Sequence, residues 1–435
     1  MKPSGDSAGP WAFPRGANSV AWSLRSAAGL GETGGVMARL TSAYDAGAAG
    51  APLVGDTIGA SLAKTVARQP DVEALVSVHQ GIRLTYGEFA VEVGRVARGL
   101  MALGVDKGDR VGIWSPTCVE WTLLQFACAR VGAILVNVNP AYRSHELAYA
   151  LGQSGVRVLV TARAFKTSDY LAMVTEVRPG LAELERVVTI DGEAAGGGDD
   201  IVWSELIGAE ALVDPERLAA READLDPDDP INIQYTSGTT GNPKGATLSH
   251  HNILNNALSV AGIVRYTSAD RVCVPVPLYH CFGMGIGNLG CVSTGATIVY
   301  PAASFEPEAT LRAIADERCT SIYGVPTMFI AELDHPRFPG FDLSTLRTGI
   351  MAGSPCPTEV MKRVVNSMNL GQITIAYGMT ETSPVSFQTA ADDPLEKRVG
   401  SVGRIHPHVE VKIVDVEDRI VPPGTPMTWT SCTLG

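Results

Sequence analysis

Three observations predict an α/β fold of stacked layers for this chain. Apolar, β-branched runs at 133–138, 156–160, 296–300 and 320–325 each have the length of a buried strand. Between them lie segments with apolar residues at helical spacing, and that alternation implies sheets covered by helices. At 435 residues and 45% hydrophobic content the chain can bury a large core, and its length suggests two or three domains or subdomains.

Residues 1–50 are rich in Gly, Ala and Ser, and Arg15, Arg25 and Arg39 outnumber the acids until Asp45. Gly and Pro punctuate this stretch too often for a good amphipathic targeting helix. It reads as an extension outside the fold, with Met37 an alternative start; a transit peptide is the second reading. Next, Thr85 and Glu88 form a capping box ahead of Phe89, Val93, Val96, Leu100 and Leu103, a helical series that Gly104 stops. Arg110 to Trp114 follows as a strand. Residues 194–200 read as an exposed loop, and the acidic, proline-bearing 226–230 as a link into the apolar strand Ile231 to Tyr235. The Gly-rich stretch from Met284 to Val299 approaches a membrane span, which needs roughly 18 apolar residues. Asn288, Ser293 and Thr294 interrupt it, so a buried helix followed by a strand fits better.

A net charge of −12 and a pI of about 5.2 argue against a general nucleic-acid binder. The eight cysteines include no Cys-x-x-Cys pair and read as reduced core thiols of an intracellular protein. The expected compartment is therefore cytoplasmic, or mitochondrial if residues 1–50 are a transit peptide.

The most informative segment is Tyr235-Thr236-Ser237-Gly238-Thr239-Thr240-Gly241-Asn242-Pro243-Lys244-Gly245. Glycines let backbone N–H groups form a concavity around an anion, hydroxyls add donors, and Lys244 adds a mobile charge suited to phosphate oxygens. A Walker A loop is excluded, because Pro243 and Gly245 occupy the places of its Gly and Ser/Thr. The plain alternative is a flexible Gly/Thr turn, but an apolar strand runs straight into the segment.

The loop resembles the phosphate-binding signature of the adenylate-forming (AMP-binding) superfamily: acyl-CoA synthetases, luciferases and adenylation domains of peptide synthetases. Other segments match in the same order. Pro277-Leu278-Tyr279-His280 is similar to the aromatic-histidine segment near the acyl pocket, and Gly353-Ser354 to the glycine turn under the nucleotide. Ala376-Tyr377-Gly378-Met379-Thr380-Glu381 resembles the Tyr-Gly-x-Thr-Glu signature, and Val399 to Arg404 the segment that follows it. The details most resemble the medium-chain acyl-CoA synthetase branch.

The resemblance implies the large N-terminal domain of adenylate-forming enzymes over 51–426, with stacked α/β subdomains and a small β-barrel-like subdomain. It also implies a two-step reaction on a small-molecule carboxylic acid, with ATP, Mg²⁺ and coenzyme A. Thr236, Ser237, Gly238, Thr239, Thr240, Gly241 and Lys244 would hold the β- and γ-phosphates. Glu381 would ligate Mg²⁺, a cation that favours carboxylates and phosphate oxygens. Thr380 would bond the α-phosphate, and Tyr377 would stack on adenine beside Gly378, with Gly353 and Ser354 beneath. His280 would line or orient the acyl and pantetheine channels. Taken alone, Glu381 would be a surface carboxylate and His280 a structural imidazole. Tyr323 to Thr327 and Ala352 to Ser354 would wall the acid pocket, where no Lys or Arg stands, so an apolar acid fits better than an amino acid.

Family members continue beyond the point where this chain stops, into a ribose-gripping Thr-Gly-Asp segment, a hinge and a small C-terminal domain. Residues 427–435 match nothing in the pattern, so a ligase lacking that domain, and impaired in turnover, is expected. The alternative is a binding module that holds ATP or an acyl-adenylate without turnover, or an inert truncation product. An amino-acid-activating domain is a third reading, disfavoured because no charged recognition residue is evident at the pocket.

Overall fold

The computed structural model describes residues 42–50, 52–197, 199–236, 242–425 and 432–434. The chain divides into two compact units, one of Met1–Ala51 with Ile405–Gly435 and one of Pro52–Arg404. In the first, strand Glu410–Ile413 lies between Tyr44–Ala46 and Cys432–Leu434, antiparallel to both. Among the described residues this sheet is open rather than barrel-like. Tyr44 pairs with Lys412 and Leu434 with Val411, so parts of the predicted extension and of the predicted tail are strands of one sheet.

The larger unit holds two mostly parallel sheets. One is seven-stranded, in the order Ile201–Val202, Arg186–Thr189, Val156–Thr161, Arg110–Trp114, Ile134–Asn137, Pro230–Thr236, Lys244–Ser249, and only its last pair is antiparallel. Eight of the nine strands of the other run Val385–Gln388, Gln372–Gly378, Thr348–Met351, Ser321–Gly324, Arg271–Cys273, Thr297–Tyr300, Glu73–Ser77, Ile82–Thr85, parallel except for the first and last of these pairs. Parallel strands buried on both faces read as continuous apolar runs rather than alternating ones, which is the pattern the sequence shows.

Helices Ile58–Arg68, Tyr86–Ala102, Val119–Val131 and His250–Ile263 share one core with both sheets, uniting Val93, Phe126 and Val260 with Ile113 and Leu135 on one side and Val272 and Ile298 on the other. Helices Ser144–Ser154 and Tyr170–Val177 cover the outer face of the first sheet. Helices Pro307–Asp316, Pro326–Leu333 and Thr358–Ser367 cover that of the second. The stacked α/β layers are as the sequence predicts.

Local chemistry sets the helix boundaries. The Thr85–Glu88 capping box is made: Thr85 N–H donates to Glu88 and Glu88 N–H to the Thr85 hydroxyl, at 2.8 and 3.2 Å. The helix ends at Leu103, before Gly104 at φ +82°. Residues 284–299 form a buried helix followed by a strand, as expected, but the helix opens in π geometry. Phe282–Leu289 is π-helical, then Gly290–Thr294 α-helical, then Thr297–Tyr300 a strand. A Cβ at Gly283 would stand 2.5 Å from the Pro277 carbonyl oxygen, so close backbone approach shapes this segment. Among the described residues of the loop 194–200, Ala194, Gly196 and Asp199 are exposed, but the Asp200 carboxylate is buried and accepts from Arg178 at 2.6 Å and from Val187 and Gly197 N–H. The six most buried described cysteines and half-buried Cys356 are free thiols. No helix among the described residues is long and apolar enough to cross a membrane.

Candidate active site at the strand edge

In open α/β sheets, loops leaving the carboxyl ends of parallel strands form the crevice where ligands bind. Four predicted segments leave neighbouring strands of the second sheet at that edge. Arg271–Cys273 leads toward His280, Ser321–Gly324 into Val325-Pro326-Thr327, Thr348–Met351 into Ala352-Gly353-Ser354, and Gln372–Gly378 into Thr380 and Glu381.

The first sheet supplies the other side. Strand Pro230–Thr236 turns back as Lys244–Ser249, with Thr236 opposite Lys244. Ser237, Gly238, Thr239, Thr240 and Gly241 lie outside the described residues, so the hairpin's two flanks carry the geometry. Lys244 is exposed and, among the described residues, has no carboxylate partner. The Thr236 hydroxyl lies 3.2 Å from Glu381 Oε1 and 3.4 Å from the Lys244 carbonyl oxygen. One hydroxyl donates one proton, and the carboxylate is the nearer and stronger acceptor. That contact joins positions 145 residues apart and brings the base of the predicted phosphate loop to the predicted metal ligand.

Glu381 belongs to a one-turn 3₁₀ segment, Thr380–Thr382, in which Thr380 is buried and Glu381 exposed. Thr382, which the sequence reading passed over, organises the turn. Its hydroxyl accepts from Met379 N–H at 3.3 Å and from Ser386 Oγ at 2.9 Å, and lies 3.0 Å from both the Met379 and Pro384 carbonyl oxygens. Gly378 is required by close approach: a Cβ there would meet the Pro384 carbonyl oxygen at 1.9 Å. The half-buried Tyr377 ring meets Phe387 edge-on at 5.7 Å. Gly353 takes φ +85°, a conformation that favours glycine, and both it and Ser354 are exposed.

His280 is crowded by protein atoms yet reachable by solvent, as a group on a concave wall is. Crowding disfavours the charged imidazolium and lowers its pKa from the ordinary value, while exposure limits the shift. Nδ1 accepts from Phe282 N–H at 3.1 Å, so the neutral ring is assigned its proton on Nε2. Cys281 is a second residue the sequence reading missed. Its thiol, pushed up to about 12 by burial, lies 3.5 Å from His280 Nδ1 and 3.8 Å from Thr380 Oγ1, bridging two predicted site segments. The preceding turn is tied to the first sheet where Asn137 donates to the Tyr279 carbonyl at 3.1 Å.

The structure thus brings Thr236, Lys244, Thr380, Glu381 and His280 into one linked group, and sets Gly353 and Ser354 in the turn after the strand that neighbours Tyr377's. A separate cleft of about 530 Å³ lies among helices, lined by Val91, Arg95, Arg98, Arg130, Glu210 and Leu218, and none of the site residues borders it. Its charges are consumed in the Arg95–Glu210, Arg98–Glu210 and Arg130–Glu222 pairs.

Glycine turns, hydroxyls and single charges gathered at the carboxyl ends of parallel strands define an α/β protein with a candidate site in a strand-end crevice. A family model described as AMP-binding enzyme matches residues 62–426, and the chain belongs to that family. It is 46% identical over 378 residues to the putative acyl-CoA synthetase YngI of Bacillus subtilis, covering 84% of this chain and 68% of that one. It is 42% identical over 401 residues to the medium-chain acyl-CoA ligase ACSF2, mitochondrial, of Danio rerio, covering 88% and 66%. The chain therefore spans about two thirds of the length of these relatives. Among solved structures it is similar to the anthranilate CoA ligase AuaEII in complex with anthranoyl-AMP, with a TM-score of 0.76, 25% identity, and coverage of 86% and 68%.

Proposed function

We propose that the chain carries the nucleotide- and acid-binding part of an ATP-dependent acid–CoA ligase acting on an apolar carboxylic acid. One observation carries the reading most directly, the contact between Thr236 at the foot of the loop and Glu381 across the crevice. The names of the bacterial and zebrafish relatives, and the acyl-adenylate held by AuaEII, support it.

In this reading the acid's carboxylate oxygen attacks the α-phosphorus of ATP and pyrophosphate leaves. The sulfur of coenzyme A then attacks the acyl carbon and AMP leaves. Such chemistry asks a protein mainly for positioning and charge stabilisation. Lys244 and the loop 236–241 hold the outer phosphates, Thr380 orients the α-phosphate, and Tyr377 with the Gly353–Ser354 turn frames adenine. Glu381 suits Mg²⁺, since it is an exposed carboxylate with a hydroxyl neighbour and no cationic partner among the described residues. When bound, Mg²⁺ would neutralise phosphate charge. His280, neutral at physiological pH, lines the acid side and presents Nε2–H. No Lys or Arg occurs in Tyr323 to Thr327 or Ala352 to Ser354, which favours an apolar acid over an amino acid. For the compartment, the zebrafish relative's mitochondrial label gives weight to the transit reading of residues 1–50, which fusion of that segment to a fluorescent protein tests.

Calorimetric titration of Mg·ATP into wild type and Lys244→Ala tests the main reading. Removing one charge-assisted bond to phosphate should weaken binding by about 10- to 100-fold. Equal affinities would remove the loop from the account.

A further inference from the structure

We infer that Asn256 is a positioning residue for the metal end of this site, an inference that rests on the nucleotide-binding reading above. Asn256 lies within helix His250–Ile263, where asparagine is a mediocre helix former, and is 8% exposed. Its side chain bonds both backbone groups of one distant residue: Nδ2 donates to the Val385 carbonyl at 2.7 Å, and Oδ1 accepts from Val385 N–H at 3.1 Å.

Val385 needs such a partner because the ladder fails there. Strands Gln372–Gly378 and Val385–Gln388 slip register between Tyr377 and Gly378, so Gly378 faces Val385 whereas Tyr377 faces Phe387. A buried backbone left unpaired is costly, and Asn256 satisfies both its donor and its acceptor.

The bond pair also closes a mechanical circuit. Strand Lys244–Ser249, with Lys244 at its start, runs directly into the helix through the Ser249 cap, where Asn252 N–H donates to Ser249 Oγ at 3.3 Å. Asn256 then grips Val385, the neighbouring Ser386 Oγ donates to Thr382, and Thr382 fixes the turn that carries Thr380 and Glu381. Thr236 completes the ring by donating to Glu381, opposite Lys244 on the hairpin. The distance between the phosphate-loop flank and the carboxylate is thus set from two sides. Thr236 acts on the solvent side and Asn256 through the core. A residue that only filled the core would not need two directed bonds to the segment behind Glu381.

The test compares wild type, Asn256→Ala and Asn256→Asp by calorimetry with ATP, once in excess Mg²⁺ and once in EDTA, alongside thermal unfolding without ligand. Asn256 reaches Glu381 through Val385, Ser386 and Thr382, so Asn256→Ala should weaken ATP binding in Mg²⁺ by up to about the fivefold expected for losing one direct bond to Glu381, with a smaller loss in EDTA. Asn256→Asp keeps the acceptor for Val385 N–H but sets a carboxylate oxygen against the Val385 carbonyl, so it should lose at least as much as Asn256→Ala, and the unfolding scan shows which variant is folded for the comparison. A wild-type chain that binds ATP while both variants match it in Mg²⁺, or lose equally with and without Mg²⁺, overturns the inference and leaves the nucleotide reading standing. A wild-type chain that binds no Mg·ATP overturns both.

Discussion

Replacing Glu332 by methionine should stabilise the protein, and increasingly so as pH rises. Glu332 sits on helix Pro326–Leu333, which follows the predicted acid wall, beside Phe329 and Leu333 of the apolar cluster under the outer helices. It is 1% exposed and neither carboxyl oxygen has a hydrogen-bond partner. Burial pushes its pKa well above the ordinary carboxylate range, so the folded state holds a proton that the unfolded chain releases near pH 4.3. Above that pH the native state binds one proton more than the unfolded one, and stability falls by about 1.4 kcal/mol per pH unit until the folded pKa is reached. Methionine has similar bulk and no polar atoms to desolvate, which removes a further penalty of about 1–3 kcal/mol. Urea unfolding of both proteins from pH 5 to pH 9 would read this as a widening gap in midpoint in favour of Glu332→Met. In a thermal scan each kcal/mol should appear as on the order of 1–2 °C for a unit of this size. A pH-independent gap, or a destabilised Glu332→Met, would refute the account of Glu332 as a neutral, unpartnered carboxyl.

Three further outcomes follow from the site. Thr236→Val removes the donor to Glu381 and should weaken Mg·ATP binding about fivefold in calorimetry, since the bond is charge-assisted but solvent-exposed. Gly378→Ala places a Cβ 1.9 Å from the Pro384 carbonyl oxygen, so the turn must shift; Mg·ATP affinity should fall at least tenfold and stability by about 1–3 kcal/mol in denaturant titration. Fatty acyl-adenylate analogues should raise the unfolding temperature more than ATP, and further with chain length up to a limit, because one ligand then engages both ends of the crevice. An aminoacyl analogue that outperformed them would overturn the apolar-acid reading.

Elements set by local chemistry were legible in the sequence. The Thr85–Glu88 cap, the stop at Gly104 and the strand Arg110–Trp114 depend on residues within one turn or one pleat, and they stand where expected. Features made by tertiary contact were not. The π-helical turns of Phe282–Leu289 depend on Gly283 lying against Pro277, and the ion pair that buries Asp200 depends on Arg178; neither approach leaves a periodic trace. The site divides in the same way. Glu381 and Lys244 carry their chemistry in contiguous motifs, whereas Asn256 grips a residue 129 positions away and looks like any polar residue in a helix. Thr382 and Cys281 adjoin recognised residues, and their positions beside Glu381 and His280 were the only available hint.

The parallel order of the second sheet acts as a ruler. Adjacent strands lie about 4.8 Å apart, so the segments after Arg271–Cys273, Ser321–Gly324, Thr348–Met351 and Gln372–Gly378 are laid out in regular steps across the crevice. Each step is fixed at its root by a buried strand. In the proposed reading, substitutions in Val325 to Thr327, two strands from Tyr377, reshape what the acid end accepts while the strand that carries Thr380 and Glu381 keeps its place. A single scaffold of this kind can diversify its acid while its treatment of the nucleotide stays constant.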